Sequence, residues 1–151
     1  MPAKYISLVV FALLVVLASQ VGASYMPGPW YAALAKPPWT PPNWLFPVAW
    51  TILYVMIALA GWYAWRADGF GVPVMLWGAQ LGLNALWTYL MFGQKDIQLA
   101  LIDVVALWLV IAAFILTVRG ASRAAALLFV PYLAWVSFAA ALNFEVWRLN
   151  P

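Results

Sequence analysis

Apolar residues along this chain gather into five long blocks, at residues 5–23, 46–65, 72–92, 97–118 and 124–147. Each is close to the roughly 20 residues that a helix needs to cross a bilayer. Within a block the apolar residues run on without alternating, which argues for helices and against a β-barrel. In hydrocarbon every backbone N–H and C=O must be satisfied inside its own segment, and a helix does that. The pattern predicts an all-α integral membrane protein: a five-transmembrane-helix bundle, with residues 1–151 forming one domain without internal repeats. The links at 67–71, 93–96 and 119–123 are short, so sequential helices are expected as antiparallel neighbours. The first block follows Lys4 and ends Val21-Gly22-Ala23, which resembles a secretory signal. It is longer than a signal core, and a retained first helix is expected.

The link at 24–45 breaks the pattern. It holds Trp30-Tyr31-Ala32-Ala33-Leu34-Ala35-Lys36-Pro37-Pro38-Trp39-Thr40-Pro41-Pro42, too polar and too rich in proline for a span. The closely spaced prolines forbid continuous helix, because each lacks a backbone donor and restricts the residue before it. Such a segment is stiff and loses little entropy on ordering. Long links in compact proteins are functional or disordered. With Trp30, Trp39, Tyr31 and Lys36, this one is suited to lie at a membrane surface or to cover a cavity.

Composition sharpens the class. Charged residues make up 7% of the chain and hydrophobic ones 68%, against roughly a quarter charged in soluble domains. The chain has no cysteine and no histidine. That removes disulfides, thiolate chemistry, the commonest general base and the usual haem ligand, and no metal site is expected. The net charge of +3 is scattered, so no nucleic-acid surface forms. Lys4, Arg66, Arg119 and Arg123 fall on one side of the membrane, and Lys36, Lys95 and Arg148 on the other. That asymmetry is too slight to fix orientation.

Few polar side chains lie inside the blocks, so each is informative. Gln80 and Asn84 are one turn apart on the third, with Trp87 and Thr88 nearby. Buried amides serve either as interhelical glue or as ligand-orienting groups; for Asn84 both remain open, and glue suits Gln80. Asp103 is an intramembrane carboxylate, a functional candidate unless it snorkels or pairs with Lys95. Glu145 and Arg148 suit interfacial anchors, and Asn143 is undecided. Gly78 and Gly82 form a small-xxx-small face for close helix packing or dimerisation.

The 11 tryptophans fall into two groups. Trp44, Trp62, Trp65, Trp108 and Trp147 suit an interfacial belt. Trp50 and Trp135 lie deeper, beside alanines 49, 139 and 140, with Tyr54 one turn from Trp50 and Trp87 on the third block. Large rings beside small residues form either core or a slot for a flat apolar ligand.

The pattern from Trp30 to Pro42 resembles the signature of the TspO/MBR family, the translocator and tryptophan-rich sensory proteins with the peripheral-type benzodiazepine receptor. The likeness continues through residues 47–54, Gln80-Leu81-Gly82-Leu83-Asn84-Ala85-Leu86-Trp87, Phe92-Gly93, Pro131-Tyr132-Leu133-Ala134-Trp135 and 142–150. The resemblance implies a five-helix bundle, often a homodimer, whose cavity is lidded by the first link. It implies porphyrin ligands such as protoporphyrin IX, with sterols and benzodiazepine-site drugs as further ligands, no obligatory cofactor, and a bacterial membrane. It implies ligand contacts at Trp30, Trp39, Phe46, Ala49, Trp50, Tyr54, Asn84, Trp87, Trp135, Phe138, Ala139 and Leu142, and a dimer contact at Gly78 and Gly82 on the third helix. Trp50 and Trp135 match the tryptophans linked to porphyrin breakdown in bacterial relatives, so receptor, sensor, transporter and light-dependent porphyrin-degrading enzyme are the functions it suggests. Phe144 stands where animal members need a tyrosine in their sterol motif, which disfavours tight cholesterol binding, and Leu99 replaces a tryptophan of animal members.

Overall fold

The computed structural model describes residues 2–151. Among the described residues the regular structure is all helical, with no strand. The helices are α1 (Ala3–Ser24), α2 (Pro29–Ala33), α3 (Leu45–Asp68), α4 (Val72–Thr88), α5 (Ile97–Val118) and α6 (Arg123–Leu149). A π-helical turn, Tyr89–Gly93, continues α4 without a break. Four helices, α1, α3, α5 and α6, are long and apolar enough to cross a membrane.

Local chemistry sets the ends. Asp96 caps α5, its side chain accepting from the Leu99 N–H at 2.9 Å, and Ser122 caps α6 through the Ala125 N–H at 3.2 Å. The link between α1 and α3 is not wholly irregular, as its prolines suggest. It contains α2, because Pro29 sits in the first turn, where its missing N–H has no partner to lose. The prolines at 37, 38, 41 and 42 follow α2, and no helix forms over them.

The packing order differs from the chain order. α1 lies against α3 and α4, α3 against α6, α6 against α5, and α5 against α4, which closes a ring. Sequential helices are therefore not always close neighbours: α3 and α4 touch less than any pair in the ring. Where they meet, the Trp77 indole N–H donates to the Ile57 carbonyl at 2.8 Å and its ring covers Gly61.

One apolar core, with Ile57, Leu107, Ile111, Phe114, Phe129 and Tyr132 at its centre, fills the ring. A second cluster, Tyr31, Met91, Ala100, Leu142 and Val146, lies under the link with Trp30 and Phe138 against it. Leu13, Leu17, Val55, Ile102, Leu109, Leu116 and Leu127 face outward. An apolar exterior of this extent is what lipid contact requires. α1 is an integral part of the ring, with Phe11, Val15 and Ala18 buried.

Candidate functional site

Between the two clusters lies a cavity of about 670 Å³, within the usual size range of small-molecule sites. Helical periodicity builds its walls. Phe46, Trp50, Tyr54 and Ala58 recur every fourth residue, so they form one stripe down α3. Ala12, Val15, Ser19 and Gly22 of α1 line it too, with Ala139, Leu142, Asn143 and Val146 of α6. Trp87 and Thr88 of α4 and Met91 and Phe92 of the π turn complete the sides. Tyr25, Met26, Pro27, Tyr31 and Asn43 of the link form the remaining wall. Small residues at 12, 22, 58 and 139 leave the space, and rings surround it.

Of the residues singled out in the sequence, Phe46, Trp50, Tyr54, Trp87, Ala139 and Leu142 line this cavity. Trp30, Trp39, Ala49, Asn84, Trp135 and Phe138 do not. Trp135 stands behind Trp50, ring centroids 6.4 Å apart, and its Nε1 is buried with no hydrogen-bond partner. Its other neighbours are Phe46 at 5.9 Å and Phe138 at 5.6 Å. Trp39 packs on Phe138 at 5.7 Å, one ring further out. Trp30 packs into the second cluster, and Ala49 lies off the stripe, one residue before Trp50. Asn84 is set back by one residue: its Oδ1 accepts from the Tyr54 hydroxyl at 3.2 Å.

The other polar residues separate cleanly. Asn143 is buried and lies on the wall; its Oδ1 accepts from Trp87 Nε1 at 3.0 Å and its Nδ2 donates to the Ile97 carbonyl at 3.1 Å. It thereby fixes the indole's direction. Asp103 is buried, and neither carboxylate oxygen has a partner. The pairing with Lys95 is not made, since Lys95 belongs to the exposed turn before α5, where its φ is +57°. Glu145 pairs instead with Arg148 at 2.6 Å, one turn along α6. Trp62 is buried within the bundle, with its N–H on the Lys4 carbonyl at 2.8 Å. Gly78 and Gly82 face open space, with nothing within 4 Å of an added Cβ.

The α1 contribution, Tyr31 and Met91 were not singled out as site residues. The spacing of Ala12, Ser19 and Gly22 was the available signal, since small residues seven and three apart share one face of an otherwise bulky helix and mark a hollow there. Met91 had none, because its direction depends on the π turn.

Apolar spans joined in a ring around a ring-lined, ligand-sized chamber define a multi-pass integral membrane protein. The family model described as "TspO/MBR family" matches residues 7–148. The chain is similar to "Protein CrtK" of Rhodobacter capsulatus, 40% identical, with 96% of this chain and 95% of that protein covered. It is 43% identical to the "Tryptophan-rich sensory protein" of Cereibacter sphaeroides, covering 85% of this chain and 82% of that protein. It is 36% identical to the human "Translocator protein", covering 93% and 88%. The chain belongs to the TspO/MBR family.

Proposed function

We propose that the protein is a membrane receptor, sensor or transporter that takes flat apolar tetrapyrroles, protoporphyrin IX among them, into the cavity between α1, α3 and α6. The observation that carries this reading is the α3 stripe of Phe46, Trp50 and Tyr54 facing about 670 Å³ of open space. Rings on a wall offer stacking faces, and the small residues of the lining leave width for a flat molecule. At about 25 cal/mol per Å², covering both faces of a large ring system is worth several kcal/mol before ordering costs. With no histidine or cysteine in the chain, metal-free porphyrin fits better than haem. Sterols and benzodiazepine-site drugs are further ligands of the same space.

In this reading α4 and its π turn, together as long as α1, form a fifth span, and residues 1–151 act as one membrane domain. Gly78 and Gly82, exposed on α4, form the contact of a homodimer.

Titration of purified protein with protoporphyrin IX, haem and cholesterol side by side, read by tryptophan quenching, tests the proposal. Saturable quenching by protoporphyrin that disappears in Ala139→Trp, which fills the cavity, is the expected result. Equal quenching by both proteins counts against it. A second reading, breakdown of porphyrin under light and oxygen, rests on Trp50 at the wall. It predicts product in the light, none in the dark and little from Trp50→Phe.

A further inference from the structure

Four side chains from three helices form an unbroken hydrogen-bond line behind the cavity. Tyr54 Oη of α3 donates to Asn84 Oδ1 of α4 at 3.2 Å. Asn84 Nδ2 donates to Tyr132 Oη of α6 at 2.8 Å. Tyr132 Oη donates in turn to Gln80 Oε1 of α4 at 2.8 Å. Gln80, Asn84 and Tyr132 are buried, and of the four only Tyr54 reaches the cavity. The far end is incomplete: Gln80 Nε2 is buried and has no partner.

An amide carries a donor and an acceptor side by side, and a hydroxyl carries both on one oxygen. Turning both amides over and rotating both hydroxyls makes a second complete line that runs the other way. Gln80 Nε2 then donates to Tyr132, Tyr132 to Asn84 Oδ1, and Asn84 Nδ2 to Tyr54, leaving the Tyr54 proton for the cavity. Both arrangements make three bonds. The first leaves an orphan N–H at Gln80 and offers the cavity a Tyr54 lone pair. The second leaves the Gln80 carbonyl and its other N–H unpaired, and offers the cavity a donor. Neither direction wins on internal bonds alone, so a group placed beside Tyr54 decides it.

We propose that Tyr54, Asn84, Tyr132 and Gln80 form a reversible hydrogen-bond relay, through which the cavity recognises flat ligands bearing either a hydrogen-bond donor or an acceptor at Tyr54. This rests on the reading of the cavity as a site for flat apolar molecules. Gln80 is the residue that permits the choice, because it ends the buried side of the line with both a donor and an acceptor.

Two tricyclic probes of like shape test it: carbazole, which presents an N–H, and 9-fluorenone, which presents a carbonyl. Wild-type protein binds both with similar affinity. Gln80→Leu removes the acceptor for Tyr132, whose hydroxyl then turns to Asn84 and drives the line toward the cavity. The affinity ratio of fluorenone to carbazole rises about tenfold, the size of one hydrogen-bond difference. Gln80→Met, closer in shape, gives the same shift should Gln80→Leu fold poorly. A ratio that stays at its wild-type value in both variants overturns the relay. The ligand-free protein separates this from failure of the cavity reading, through the Asn84 side-chain amide resonance. Tyr132→Phe moves that resonance most with Gln80 present, and Tyr54→Phe moves it most in Gln80→Leu. That exchange supports the relay even if neither probe binds. Tyr132→Phe dominating in both backgrounds overturns it.

Discussion

The Trp50 and Trp135 indoles meet edge to face, with centroids 6.4 Å apart and planes at 88°. Only the first is on the cavity wall; the second supports it from behind. The two tryptophans are therefore not equivalent. Trp50→Phe removes a stacking face and should weaken protoporphyrin binding by roughly fivefold, the scale of one aromatic contact. Trp135→Phe leaves the wall in place and removes a buried donor that has no partner, so affinity should change less than with Trp50→Phe. Parallel quenching titrations check the order. Equal losses in both variants would mean that the ligand displaces Trp50 and reaches the second ring.

Much of the helical layout was legible because lipid imposes it. The apolar run at 97–118 coincides with α5, and those at 5–23, 46–65 and 124–147 lie inside α1, α3 and α6. The ring order was not legible, because short links limit where the next helix starts but not which helix lies beside it. The π turn was equally hidden: Tyr89–Gly93 has no distinguishing composition, yet it brings Met91 and Phe92 to the cavity. Trp50 and Trp135 read alike in the sequence, each flanked by an alanine or near one. Their different stations follow from helix rotation, which a uniformly apolar pattern leaves open. Asn84 was legible as a buried amide, and its two partners, Tyr54 and Tyr132, came from helices the sequence could not place beside it.

Gly61 is the most closely packed of the glycines. A Cβ there would lie 2.6 Å from the Trp77 ring and 2.7 Å from Phe11. The indole cannot retreat without giving up its bond to the Ile57 carbonyl. Gly61→Ala should therefore destabilise the protein by about 1–3 kcal/mol, the usual cost of overpacking, despite the better helix propensity of alanine. Thermal unfolding in detergent measures this. Gly78→Ala, where nothing lies within 4 Å, serves as the control and should leave the monomer's unfolding temperature unchanged or raised.

Asp103 presents the opposite case, a group with nothing to satisfy it. It is 5% exposed and both oxygens lack partners. A buried carboxylate without a counter-ion costs several kcal/mol if charged and retains an unmet hydrogen-bonding demand if neutral. Asp103→Asn, of the same shape but uncharged at any pH, should be at least as stable as the parent. Asp103→Leu should be more stable still, through added apolar area. If both variants unfold at lower temperature, Asp103 has a partner in the membrane-embedded protein, and cross-linking of lipid or a second copy near α5 becomes the next measurement.

Asn150 holds the link over the cavity. Its side chain bonds both backbone groups of Ala35, Oδ1 accepting from the N–H at 3.0 Å and Nδ2 donating to the carbonyl at 2.8 Å. It is anchored to α6 through the Val146 carbonyl at 2.7 Å. Next along the link, the Lys36 ammonium donates to the carbonyls of Tyr31, Ala32 and Leu34, closing the end of α2. That ammonium lies 4.8 Å from the centre of the Tyr31 ring, and burial raises the Tyr31 hydroxyl above its ordinary pKa, so the ring stays neutral beneath the cation. Lys36 thus closes the end of α2, and Asn150 adds a polar clamp to α6 beside the apolar packing of Trp30 and Tyr31 against Leu142 and Val146. Asn150→Ala leaves α2 intact and removes both bonds to Ala35, worth about 1–3 kcal/mol together. Amide exchange over residues 28–36 should rise roughly ten- to a hundredfold, while exchange in α5 stays the same. Ligand entry and exit should both quicken, with little change in affinity, because the wall residues of α3 and α6 do not move. Unchanged exchange in the link would show that the apolar contacts of Tyr31 and Trp39 hold it without the clamp.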